Sequence, residues 1–480
     1  MTPNATPSAK TALREGSAVR RESALRGTRT IRLGSVFSPL SLVAFVYVPL
    51  LVLYVASSRS VFTTDFGSRK TLSWTGFAYF SLALLAFAAG AKAGSDIVRA
   101  RAGTRPPSER PEDGDGPKLT FVQRRSLAVL LEASLVLTIG AYAVWFTRGI
   151  VRAGGITQLF DIWRSDPHRI KGQILTTLPG VTTLTQLAVA SIPLAIVFGF
   201  VRRGSAIRLL VVVVLALAAV RTVLFSERLA FIELVVPIAF LLLSPKKVTI
   251  PRVVVYALAL VAAAMMFFAI TELRRTYVYT HNFSTSRSTT RFFGYYLTSV
   301  NNGMAVIDEY PARTPFYSSG EFLWLFPGVR DLRVEHLPAV GTISLRYKDA
   351  FGVDPESFWP QAFAAQGLDY EFNVFTAPGY LAADFGWAGL IAVFGLGLLS
   401  GRLYRTSETS AYHRAVYAVW LVGLFEFMRI LYVVSTRVFP AYLVFAAAYL
   451  ILRRRAPVQA QVGSPPGGER HLPAAGAPTT

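Results

Sequence analysis

The sequence predicts an all-α polytopic integral membrane protein with about ten transmembrane helices and one large extracytoplasmic loop, and three observations lead there. Hydrophobic residues make up 52% of the 480-residue chain, charged residues only 16%, and the mean hydropathy is +0.43. Apolar runs long enough to cross roughly 30 Å of hydrocarbon recur along it. Basic residues return between alternate runs, as membrane topology requires, and not in one block. The net charge of +21 therefore reads as topology and not as a nucleic-acid footprint. With no cysteine, disulfides and thiolate metal sites are excluded. No paired His/Asp at helical spacing calls for a metal, and no cofactor is expected.

Residues 1–33 carry seven Lys or Arg among Ser, Thr and Pro and hold no apolar core, which predicts a disordered basic cytoplasmic tail. The first apolar run is long enough to span and lacks a small-residue cleavage site after a short core, so a retained helix is expected and not a signal peptide. Spans are expected at 36–58, 71–91, 126–147, 181–201, 206–225, 228–244, 252–271, 377–400, 414–435 and 437–452. They group as helices 1–7 within 34–271, with a cytoplasmic loop at 92–125, and helices 8–10 within 376–455, followed by a disordered cytoplasmic tail at 456–480. Between the groups lies a polar interval, 272–375.

With the amino terminus inside, six segments fall on the cytoplasmic face, and all are basic: the tail, 92–125, Arg202/Arg203/Arg208, Lys246/Lys247/Arg252, Arg402/Arg405/Arg414 and Arg453–Arg455. Flipping the chain would put every one on the wrong side. Both termini are then cytoplasmic, and the interval is outside as a loop or lid. No internal repeat and no matched pair of broken spans is visible, which weakens an inverted-repeat transporter.

Some charges break the inside pattern. Arg148, Arg152, Arg164, Arg169 and Lys171 sit in the loop after the third span, where Asp161 and Asp166 partly neutralise them. Arg221 and Arg228 fall at the outer ends of the fifth and sixth spans, Arg429 in the outer part of the ninth, and Arg437 at the start of the tenth. A charge at membrane depth costs about 2.5–3.5 kcal/mol on insertion scales, so such residues face a cavity or a partner. Arg429 has Glu426 three residues earlier as a local partner, and Arg437 has the option of snorkelling. The other reading joins four arginines from four spans into an anion pocket, since a guanidinium forks onto phosphate oxygens and stays charged when buried. Asp384, in the outer part of the eighth span, is a second intramembrane candidate.

Within the interval, Phe293, Tyr296, Leu297, Val300, Met304 and Ile307 form one helical stripe, suited equally to a helix lying on the membrane or closing over a cavity and to core packing inside the loop. TISLRYKD (342–349) predicts a short strand, and acid–base candidates are Glu321, Asp331, Glu335, His336, Asp369 and Glu371.

Three stretches carry a resemblance: GGITQLFDIWRSDPHR (154–169), FSERLAFIELVVPIAFLLL (225–243) and TAPGYLAADFGWAGLIAVFGLGLLSGRLY (376–404). With their order and the large outer loop, they make the chain similar to the oligosaccharide repeat unit polymerases, the Wzy-like relatives of O-antigen polymerases and ligases, over roughly 36–452. The resemblance implies a fold like the glycosyltransferase C class and residence in a bacterial cytoplasmic membrane. It also implies metal-independent polymerisation of polyprenyl-pyrophosphate-linked oligosaccharides at the outer face, with a flippase and a chain-length regulator as further partners. Arg228 matches the arginine of the family's second motif. On this reading Arg221, Arg228, Arg291, Arg429 and Arg437 bind pyrophosphate, and His336, Glu335 or Asp384 serves as base, with His336 preferred for its pKa near neutrality. A ligase or a transporter of lipid-linked glycans remains the alternative.

Overall fold

The computed structural model describes residues 30–103, 119–165, 169–176, 178, 180–202, 204–225, 228–249, 285–324, 333–337, 341–344, 347–368 and 374–453. Apart from two antiparallel two-stranded sheets, their regular structure is helical. The main helices are α1 (Pro39–Ala56), α2 (Trp74–Gly103), α3 (Phe121–Ala153), α4 (Ile156–Ser165), α5 (Leu187–Val197) and α6 (Ala206–Phe225). They continue with α7 (Arg228–Leu243), α8 (Thr285–Glu309), α9 (Ala377–Phe385), α10 (Gly389–Ser407), α11 (Ala411–Phe425) and α12 (Phe439–Arg453). Strands β1 (Thr30–Arg32) and β2 (Lys247–Thr249) pair with each other, as do β3 (Arg333–Leu337) and β4 (Gly341–Ser344).

Among the described residues five helices are long and apolar enough to cross a membrane: α1, α2, α3, α6 and the run Ala377–Ser407 that joins α9 to α10. Shorter apolar helices cover Val181–Val197, Leu229–Leu243 and Phe439–Arg453. The run expected at 252–271 lies outside the described residues. The outward surfaces are those of helices in lipid, with Phe45, Val52, Leu85, Val129, Leu209 and Ile391 all exposed. At 33 residues α3 is about 50 Å long, which carries Arg124 and Arg152 beyond the hydrocarbon at opposite ends.

Hydrogen bonds and one cation–ring contact gather the described parts of the basic segments at one end of the bundle. The β1–β2 ladder joins the amino-terminal segment to Lys247, and Tyr404 donates to Gly34 O. Ser95 donates to Gly401 O, Gln123 donates to Leu452 O, and the Arg124 guanidinium lies over the Phe200 ring.

The opposite end is tied by Asn301 of α8. Tyr54 OH and Thr71 N donate to its Oδ1 at 2.9 and 2.8 Å, while its own Nδ2 donates to Arg69 O at 2.8 Å. The predicted stripe on α8 is real: Leu297, Val300, Met304 and Ile307 pack in the main core. Asn301, Asn302, Ala305 and Val306 are buried as well, so α8 is a core helix enclosed on several faces and not one lying on a surface.

The tightest seam runs between α2 and α10. Gly90 and Gly94 on one helix face Gly397 and Gly401 on the other, a small-xxx-small pairing that lets backbones meet. A Cβ on Gly401 would fall 1.9 Å from Ala91 O, and one on Gly94 would fall 2.0 Å from Leu398 O.

The ninth apolar run departs from expectation. It was expected to be one span over 414–435, but the helix stops at Phe425, so α11 is about 22 Å long, short of the hydrocarbon thickness. Residues 426–438 form turns and a single 3-10 turn at Tyr432–Val434 before α12 begins. Val433, Val434, Thr436 and Val438 are β-branched and crowd a helix, and Ser435 is extended at φ −69°, ψ 149°. Pro440 then fits the first turn of α12, where a missing N–H costs nothing.

Candidate functional site

Non-helical backbone at membrane depth is tolerated only where protein buries it or where it lines a cavity. Segment 426–438 meets that condition. Phe427, Met428, Leu431, Tyr432 and Val433 are buried. Phe427 O accepts from Ala377 N at 2.9 Å, and Val433 O accepts from Tyr442 OH at 2.7 Å. A small apolar cavity beneath it is lined by residues that include Phe87, Leu396, Ser400, Trp420 and Leu431.

The segment carries two ion pairs. Arg429 pairs with Glu426 and also reaches Tyr295 of α8, donating to its hydroxyl. Arg437 takes both oxygens of Glu233, on α7, in a forked contact, with Nη2 to Oε2 at 3.0 Å. Tyr432 OH adds a third donor to Glu233 Oε1 at 3.0 Å. Both carboxylates are almost fully enclosed, Glu426 at 2% and Glu233 at 1% exposure, while the arginines keep 12% and 23%. Each pair therefore holds a guanidinium that keeps more exposure than the carboxylate it meets. Nε of Arg429 is buried and meets no partner among the described residues.

Arg221 completes this neighbourhood. It is buried on α6, donates to Thr185 Oγ1 at 3.0 Å and lies 4.9 Å from the centre of the Trp145 ring. Tyr142 is within electrostatic reach of Arg221, Glu233 and Arg437 together. Arg221, Arg429 and Arg437 thus share the end of the bundle that also holds α8, as sequence reasoning grouped them, but two of the three have a carboxylate of their own. The side chains of Arg228, which opens α7, and of Arg291, on α8, lie outside the described residues. So do those of Glu335 and His336, which fall on β3.

Asp384 turns out to be occupied. Its two oxygens accept the backbone N–H groups of Ser318 and Ser319 at 3.1 and 2.6 Å. The loop they belong to, 310–320, is strained: Ala312 and Phe316 have φ of 54° and 58°, a region costing a non-glycine residue about 1–2 kcal/mol. Four contacts with α9 hold it there, the other two being Ala312 N to Ala382 O and Thr314 N to Ala383 O. In Asp384→Asn one of the two amides would face an NH2 group instead of an acceptor. We expect a loss of about 1–3 kcal/mol, read as a lower melting temperature in detergent and faster proteolysis within 310–320, and unchanged values would remove the loop-holding role.

The loop leads directly to Glu321, which reaches the non-helical segment. Thr436 donates to Glu321 Oε1 through both its N–H, at 3.3 Å, and its hydroxyl, at 3.1 Å. Burial pushes the Glu321 carboxyl above the ordinary glutamate value of 4.5, with the Thr436 hydrogen bonds opposing that rise.

Sequence reasoning missed Glu233 and the tyrosines Tyr295 and Tyr432. Glu233 was legible as the lone carboxylate in the apolar run FIELVV, the same signal that drew attention to Asp384. The tyrosines gave no signal, being indistinguishable from core aromatics. No protein-family model, curated protein or solved structure matches the chain.

Proposed function

We propose that the chain is a glycosyltransferase of the bacterial cytoplasmic membrane that joins polyprenyl-pyrophosphate-linked oligosaccharide repeat units into a surface polysaccharide at the outer face. On this reading the described helices belong to an arrangement of about ten spans like that of the glycosyltransferase C class, with both termini in the cytoplasm. The interval 272–375 is then extracytoplasmic, and α8 with the loop to Glu321, within its described part, roofs the site.

The observation that carries the proposal is segment 426–438, a break in the helices that fixes Arg429 and Arg437 on Glu426 and Glu233. A pyrophosphate on a lipid tail arrives at the membrane surface with its charge confined to that depth. Guanidinium groups already held there stabilise the charge that develops as the pyrophosphate departs, with no reorganisation during the reaction. Losing one such donor costs on the order of 100- to 1000-fold in rate.

The test uses lipid-linked glycans extracted from cells of the source organism that lack this chain, added to the purified protein in bilayer discs. A ladder of products is the expected result. A single transfer to a foreign acceptor identifies a ligase instead. Passage across a sealed vesicle without new bonds identifies a transporter.

A further inference from the structure

We propose that Glu321 is the acid–base group of this site, taking the proton from the attacking sugar hydroxyl; the assignment rests on the transferase reading above. Three observations carry it. Glu321 is the carboxylate by which the polar interval grips the non-helical segment, through the double contact from Thr436 to Oε1. That contact uses one oxygen, Oε1, while no hydrogen bond to Oε2 is found among the described residues, and the residue is only half-buried. The residue is also delivered by the strained loop 310–320, whose shape Asp384 and the end of α9 enforce. Asp384 is accordingly a positioning residue for Glu321.

The surroundings fit a proton acceptor. Tyr380 on α9 lies within electrostatic reach of Glu321, of Arg429 in the non-helical segment and of Tyr317 in the loop. The two Thr436 hydrogen bonds keep an ionised carboxylate tolerable, while burial lifts its proton affinity above that of a solvated glutamate. In the step, the acceptor hydroxyl oxygen forms a bond to the anomeric carbon of the donor. The bond from that carbon to pyrophosphate oxygen breaks, and its electron pair leaves with the pyrophosphate. The hydroxyl proton passes to Glu321 and then to water. The arginines meet the departing charge, and Glu321 meets the departing proton.

The experiment measures transfer rate against pH for the wild type, Glu321→Gln and Glu321→Asp, using the same extracted lipid-linked glycans. Glutamine keeps both Thr436 contacts, so the fold is retained. General acid–base catalysis is worth about 100- to 10,000-fold, and a kcat loss in that range with little change in KM is expected for glutamine. The wild-type rate should rise with pH along an acid limb centred above 4.5, because the ionised form is the active one. Glutamine should flatten that limb, and aspartate should restore part of the rate with the limb displaced.

The same shift makes a separate statement about stability. A raised carboxyl favours the folded state below its unfolded value, and that advantage is lost as pH rises through the folded value, so glutamine should abolish this pH dependence. A wild type that forms products together with a glutamine variant within about threefold of it, or one that is slower with an unchanged acid limb, overturns the assignment alone. A wild type that forms no products overturns the transferase reading and the assignment with it.

Discussion

Glu233→Ala is expected to be the most damaging single change in the site. Glu233 is 1% exposed and accepts Arg437 through two nitrogens and Tyr432 through its hydroxyl. Deleting one partner of such a pair leaves a guanidinium in a low-dielectric surrounding without its carboxylate, at a cost of about 3–5 kcal/mol. The same change frees segment 426–438 from α7, so the site should lose its shape as well as its stability. Replacing the pair together separates these effects. Glu233→Leu combined with Arg437→Met exchanges charge for apolar volume, and such exchanges are often neutral or stabilising. The double variant should melt above Glu233→Ala in detergent, held below the wild type by the Tyr432 hydroxyl that it leaves unpaired, and remain inactive in transfer, because the arginine is gone. A Glu233→Ala protein within about 1 kcal/mol of the wild type, or a double variant as unstable as the single one, would show that the pair does not hold the segment.

Gly401→Ala is expected to have the next largest effect, although it adds one methyl group. Its Cβ would sit 1.9 Å from Ala91 O, a backbone atom on a helix clamped at three further glycines, so no side chain can rotate away. The helices must separate, and overpacking of this kind costs about 1–3 kcal/mol, with more for a larger residue. In hydrocarbon the loss is not offset by solvent, since helix association there rests on close packing itself. The strain should travel. Helix α10 continues from α9, which carries Asp384, and Ser400 beside the glycine accepts the Trp420 indole of α11 at 2.8 Å. Thermal denaturation of Gly401→Ala and Gly401→Val in detergent tests this, with valine the worse of the two. Equal melting of glycine and alanine proteins would mean that the seam opens freely.

How much of this was legible in the sequence differs by level. Apolar runs located α1, α2, α3, α6 and the α9–α10 run, because a helix in hydrocarbon must be continuous and apolar and hydropathy measures that directly. The stripe on α8 was also readable, from spacing, whereas the strand expected over 342–349 holds only at Gly341–Ser344, since Tyr347–Phe351 is helical. The break after Phe425 was not, because valine and isoleucine score as apolar whether or not they are helical. The β-branched run before Pro440 was the available warning.

For the site, the sequence marked the arginines, since a charge within an apolar stretch is conspicuous by its cost. It also offered Glu426 as the local partner of Arg429, three residues away. It could not offer Glu233 to Arg437, because the two are 204 residues apart and meet only once α7 and the non-helical segment pack together. Likewise, Asp384 stood out as a buried carboxylate and a candidate base, but its two amide donors come from residues 65 and 66 positions away in the interval.

By itself, then, the sequence determined a helical membrane chain, the division of its basic segments from its polar interval, and the residues that are costly to bury. Hydrophobic length and isolated charge are properties a residue carries wherever it goes. Only the tertiary structure decided which of those charges are neutralised, which carboxylate is occupied, and which one, Glu321, faces the non-helical segment with an oxygen to spare. Pairing and access depend on distances between elements, and no single stretch of sequence contains them.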